Sequence, residues 1–179
     1  SPSNDELFIQ KASIESKLGN HLESIRILLS ALNIFEDPAE IWNLIGMEYL
    51  FLEDYNNAEY FFKNCIIENP EDYPSLYNLL YCYEQMNSND KAIRVLNKVL
   101  KVNPYSEIAW HQLGCIFSKM HKIENAISAF DFAIISDNKF IGAYIEKAKL
   151  LEMKGDFTEA IKNYRNVLDI NDPSAFIYT

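Results

Sequence analysis

Between Trp42 and Pro70 the chain spells a pattern that returns in register every 34 residues. A large residue is followed four places on by a small one, and three further on by a ring: Trp42, Gly46, Tyr49. After a break come a second small and large pair, Ala58 and Phe62, and then Pro70. Rows of 34 divide the sequence, with no insertion or deletion, into units at 5–38, 39–72, 73–106, 107–140 and 141–174. The leading column reads Phe8, Trp42, Leu76, Trp110 and Tyr144, and the small column Ala12, Gly46, Leu80, Gly114 and Ala148. The ring column holds Glu15, Tyr49, Tyr83, Phe117 and Leu151. In the second half of each unit, Ser24, Ala58, Ala92, Ala126 and Ala160 precede Leu28, Phe62, Leu96, Phe130 and Tyr164 by four places. A third column there holds Ala31, Cys65, Val99, Ala133 and Val167.

These spacings put apolar residues at i, i+3, i+4 and i+7, which is one face of a helix. The small residue lets a partner helix approach closely, and the ring fills the space beside it. Turns are predicted near residues 19, 53, 87, 121 and 155, with Gly19, Gly155 and the run Asn87-Ser88-Asn89-Asp90 as breakers. Pro70, Pro104 and Pro173 close second helices, because proline lacks the N–H that a helix interior uses. One such hairpin cannot bury its apolar face alone, so neighbouring hairpins must stack.

The period and its columns resemble the tetratricopeptide repeat family over nearly the whole chain. The resemblance implies an all-α, right-handed superhelical solenoid of five helix-turn-helix repeats, forming a single domain over residues 1–179. Lys11 and Glu15 stand in normally apolar columns, as suits a first repeat with no earlier repeat to pack on. Pro38 falls two places later than the closing prolines of repeats two and three, and Asn138 stands where proline is usual. Residues 175–179 read as the start of a truncated sixth repeat, with Tyr178 in the Trp42 column, so the chain is expected to be a fragment of a longer protein.

An apolar content of 49% predicts a folded domain rather than disorder. The net charge is −10, and it is uneven: 4 basic against 16 acidic side chains in residues 1–90 give −12, and 12 against 10 in residues 91–179 give +2. No basic stripe exists, which argues against a nucleic-acid partner. Cys65, Cys82 and Cys115 are odd in number and lack CxxC spacing, so a reducing compartment is expected. There is no run of about 18 apolar residues to span a membrane. Ser1-Pro2-Ser3-Asn4 has no signal-peptide character, which makes a cytoplasmic location the expectation.

Catalytic chemistry finds little support. His21, His111 and His121 lack the spacing of a helical metal pair. His21 reads as a packing residue of its hairpin, and His121 falls in a turn. No phosphate-binding loop or nucleophile motif is present, and no metal or other cofactor is expected. His111 and Cys115, four apart, could be drawn as a dyad, but the resemblance puts both in columns that face the inner surface of the family's repeats. Cys65 reads as core. The acid pairs Glu36/Asp37, Glu53/Asp54 and Glu71/Asp72 read as solvated turn acids.

What remains is binding. In the family the first helices line a concave groove whose variable positions contact ligands. Carried over column by column, those positions are Asn43, Met47, Leu50 and Phe51, then Tyr77, Asn78, Tyr81 and Glu84. The fourth repeat supplies His111, Gln112, Cys115 and Lys119, and the fifth Ile145, Glu146, Lys149 and Glu152. The cations of the family's carboxylate clamp are absent in every register. The expected partner is a protein or peptide segment centred on Met47, Phe51, Tyr77, Tyr81 and His111. Asn43, Asn78 and Gln112 would hold its backbone, and its basic end would lie over the acidic repeats. The alternative is a structural spacer or self-association domain, with Tyr164 and Leu168 of the fifth repeat as the contact between copies.

Overall fold

A computed structural model describes residues 4–32 and 38–171. Glu36/Asp37, Pro173 and the opening of the sixth repeat at 175–179 lie outside the described residues. The chain forms two compact units, residues 1–92 and 93–179, with the division falling inside one helix. Among the described residues the secondary structure is entirely helical.

The first unit contains α1 (Asn4–Lys17), α2 (His21–Ala31), α3 (Ala39–Phe51), α4 (Tyr55–Glu68) and α5 (Tyr73–Gln85), and the start of α6 (Asn89–Val102). The second contains the rest of α6, then α7 (Glu107–Lys119), α8 (Ile123–Ser136), α9 (Ile141–Lys154) and α10 (Phe157–Asn171). In the first unit Ala12, Ile25, Leu28, Ile41, Ile45 and Phe61 form a core on which Phe8, Trp42 and Tyr49 pack. In the second, Ala126, Phe130, Ala133, Ala143 and Leu150 do the same beneath Trp110, Phe117 and Phe140. Cys65 is buried, as a core position requires.

The tightest junctions lie within hairpins. A Cβ added at Gly46 would stand 2.7 Å from the Phe62 ring, and one at Gly114 would stand 2.5 Å from Phe130. Both rings are fully buried. The bare glycine therefore decides how near the two helices come, and the ring fills the space that this leaves.

Each hairpin turn uses one residue in the left-handed region: Gly19 (φ 80°), Glu53 (56°), Asn87 (51°), His121 (57°) and Gly155 (81°). The next residue in each case donates its N–H to the carbonyl of the ring column, at Glu15, Tyr49, Tyr83, Phe117 and Leu151, over 2.7–2.9 Å. This six-to-one bond closes a helix end whose carbonyls would otherwise lack partners. Left-handed backbone costs a residue with a Cβ roughly 1–2 kcal/mol. Nothing lies within 4 Å of a Cβ built at Gly19 or Gly155, so the cost of alanine there is backbone strain alone. Gly19→Ala and Gly155→Ala should each lower unfolding stability by about 1 kcal/mol, and Glu53→Gly should raise it by less than that. Urea denaturation of the three variants checks the opposite signs.

The acid pairs have a definite role. Asp54 accepts from the N–H of Asn57 and Asp72 from that of Ser75, each at 3.2 Å, so both cap helix N-termini. The junctions between hairpins also repeat. Asn69, Asn103 and Asp137 accept the N–H two residues on at 3.0, 3.1 and 2.9 Å. Asp137 makes this turn with Asn138 behind it, which is why the missing proline leaves the junction intact.

Candidate functional site

In the first unit the candidate residues sit on α3 and α5, the first helices of consecutive hairpins. Two amides tie these helices together. Asn43 donates from Nδ2 to Ser75 Oγ at 2.6 Å, and Asn78 donates from Nδ2 to Met47 Sδ at 3.3 Å. Each amide thus spends one N–H inside the protein and keeps its carbonyl and second N–H for another partner. Met47 is half-buried. Phe51, Tyr77 and Tyr81 are 58%, 43% and 47% exposed, which is high for rings of this size.

Second helices contribute two more side chains, which pack on Phe51 and Tyr81. His21, at the start of α2, stacks on Phe51 with centroids 5.1 Å apart, and its Nδ1 lies 2.7 Å from Glu48 Oε2. It therefore packs on the next hairpin rather than only within its own. Tyr55, at the start of α4, meets Tyr81 edge to face at 6.3 Å. His21 and Tyr55 are one period apart, which is the signal that could have found them together.

In the second unit, α7 carries His111, Gln112, Cys115 and Lys119. Gln112 is half-buried and Lys119 exposed. His111 packs against the rings of Phe130 (5.6 Å) and Phe140 (5.2 Å), and burial lowers its pKa, opposed by Glu146. Its two ring nitrogens lie 4.0 and 3.9 Å from Cys115 Sγ. Burial pushes the Cys115 thiol up to about 11 and the Cys82 thiol up to about 12, so both are protonated at neutral pH. A catalytic dyad needs the opposite, a thiolate stabilised by the imidazole. On α9, Lys149 donates to Glu146 at 2.7 Å, and Tyr164 on α10 reaches Glu152 at 3.3 Å. Among the described residues no group of three or more His, Cys, Asp or Glu is placed to hold a metal ion. No helix among them is long and apolar enough to cross a membrane.

The charge is as uneven on the molecule as in the sequence. Residues 27–90 hold 12 acidic side chains and a single cation, Lys63. That cation lies 3.6 Å from Glu59, which also receives Lys91 at 2.8 Å and the Tyr83 hydroxyl at 3.2 Å. Neither α3 nor α5 carries a lysine or arginine.

Two family models for the tetratricopeptide repeat match the sequence, one over residues 52–113 and the other over 108–134 and 141–173. The chain belongs to the tetratricopeptide repeat family, and its fold is the all-α repeat fold of that family's solenoids. It is 24% identical over 197 aligned residues to TPR repeat-containing protein MJ1428 of Methanocaldococcus jannaschii, covering 98% of this chain and 34% of that protein. It is 23% identical to anaphase-promoting complex subunit 3 of Schizosaccharomyces pombe, covering 89% of this chain and 24% of the subunit. The chain thus spans about a third or less of these relatives. Among solved structures, it resembles a MamA protein with a TM-score of 0.70 at 20% identity, covering 98% of this chain and 96% of the other. It also resembles YrrB, described as a TPR protein with an unusual peptide-binding site, with a TM-score of 0.61 at 19% identity, covering 93% and 85%. These likenesses are in fold.

Proposed function

We propose that the chain is a non-catalytic interaction module that binds an extended or helical protein segment along its first helices. The observation that carries this reading is the run of exposed rings, Phe51, Tyr77 and Tyr81, along α3 and α5, with half-buried Met47 on α3. Large rings on one face of adjoining helices provide the rigid apolar area on which binding energy concentrates. Asn43 and Asn78 stand beside them with hydrogen-bonding capacity to spare. A peptide-binding site in YrrB, and membership of a multi-subunit complex in the yeast relative, support the same class of work. His111, Gln112, Cys115 and Lys119 extend the reading to the α7 face of the second unit. The raised thiol pKa of Cys115 supports a binding role there over a catalytic one. Three free cysteines support a reducing, cytoplasmic setting.

The expected outcome is that Tyr77→Ala and Tyr81→Ala each weaken a partner captured from the source cell by roughly 1–3 kcal/mol in affinity. Neither tyrosine stands in a column that defines the repeat, so the helical circular dichroism spectrum should be retained. Unchanged affinity in both variants would overturn the reading.

Self-association is the second reading, and it has its own observation. On α10, Phe157, Ile161 and Leu168 are 63%, 51% and 66% exposed along one helical face, with Tyr164 half-buried beside them. Leu168 shares its column with Ile66 and Leu100, both 8% exposed. If this face pairs copies, light scattering should show dimers at high protein concentration, and Leu168→Glu should return them to monomers. A parent chain that stays monomeric at high concentration would rule the reading out.

A further inference from the structure

We infer that the place where Tyr55 and Tyr81 meet holds a cationic side chain, an arginine, of a basic partner segment. The inference rests on the reading that this face binds a segment, and it adds the chemistry of what is bound.

Two features meet there. Tyr55 and Tyr81 stand edge to face at 6.3 Å, and Tyr81 is nearly half exposed. Glu53 is exposed in the left-handed turn two residues before Tyr55. The Tyr55 phenol has its pKa raised first by burial and next by the negative charge of Glu53.

Neither α3 nor α5 carries a lysine or arginine. Lys63 is the one basic residue between 27 and 90, and it sits beside Glu59 on a second helix. Tyrosine faces attract cations through the ring quadrupole, and a carboxylate beside them adds Coulomb attraction. A guanidinium suits the site better than an ammonium, because it is planar, stacks on rings and is more weakly hydrated.

The test starts from random dodecapeptides displayed on phage and selected against the intact 179-residue chain. The enriched peptides should carry arginine next to an apolar residue. In a synthesised winner, replacing that arginine by neutral, isosteric citrulline should weaken binding about tenfold. Tyr81→Phe should bind like the parent, since it keeps the ring, and Tyr81→Leu should lose about tenfold. Glu53→Gln should weaken binding and flatten its dependence on salt. Circular dichroism of each variant confirms the fold. Selection of neutral or acidic peptides, no enrichment at all, or indifference to citrulline would overturn the inference. Peptides that ignore citrulline yet lose affinity with Tyr77→Ala would leave the binding face standing without the arginine. Peptides that ignore both Tyr77→Ala and Tyr81→Ala would remove the face as well.

Discussion

Phe62→Ala and Phe130→Ala should each cost about 3–5 kcal/mol of unfolding stability. Each ring is fully buried, and each fills a space framed by a glycine on the facing helix of its own hairpin. Truncation removes the transfer energy of the ring and leaves a cavity that the helices can close only in part. Because a repeat contacts only its neighbours, the loss should spread little along the chain. Phe62→Ala should destabilise the first unit and Phe130→Ala the second. Native-state hydrogen exchange, read helix by helix, would show this separation. A loss below about 1 kcal/mol in both variants would mean that these rings do not organise their hairpins.

The opposite change at the same junctions should also destabilise, for the opposite reason. Gly46→Ala and Gly114→Ala each improve helix preference by about 1 kcal/mol. Each also drives a methyl to within 2.7 or 2.5 Å of a buried ring. Overpacking of this kind costs about 1–3 kcal/mol or more, and the ring has no exposed side to move toward. Each site should therefore lose up to about 2 kcal/mol net and the combined variant up to about 4 kcal/mol, since the two sites lie in different units and their effects should add. A smaller partner should reverse the sign. In the Phe130→Leu background, Gly114→Ala should be neutral or stabilising, because alanine and leucine already occupy the matching columns of the first repeat as Ala12 and Leu28, both in one core. Chemical denaturation of the four proteins in this cycle measures the coupling directly. Additive single effects would contradict the packing account.

Most of the fold could be read from the sequence because the repeat states each feature five times. The left-handed turns at 19, 53, 87, 121 and 155 could be placed although only two of them are glycine. Glu53 and His121 are poor turn signals alone, and their column fixes them. The gap between Gly46 and Phe62 was legible in the same way, as a small residue opposite a large one.

The candidate site was less legible, and the reasons are physical. Asn43 and Asn78 look like free amides in the sequence, but each donates to a residue about one period away, at Ser75 and Met47. Whether a side chain is spent on a neighbour depends on how closely α3 and α5 approach, which a column does not state. The pairing of His21 with Glu48 spans 27 residues and joins different columns, so no periodicity signals it. Asp54 and Asp72 read as solvated acids because composition shows charge and not the N–H groups that they cap. Among the catalytic candidates, spacing alone suggested the His111–Cys115 pair, whereas burial decides its chemistry by raising the thiol pKa.

A partner segment should lie on the first-helix face of the first unit. The most direct measurement is a crystal structure of the chain bound to a peptide enriched by display. Peptide density is expected against Phe51, Tyr77 and Tyr81, with its backbone within hydrogen-bond reach of Asn43 or Asn78. Density on the second helices instead, against Tyr60 and Ile67 of α4, would contradict it.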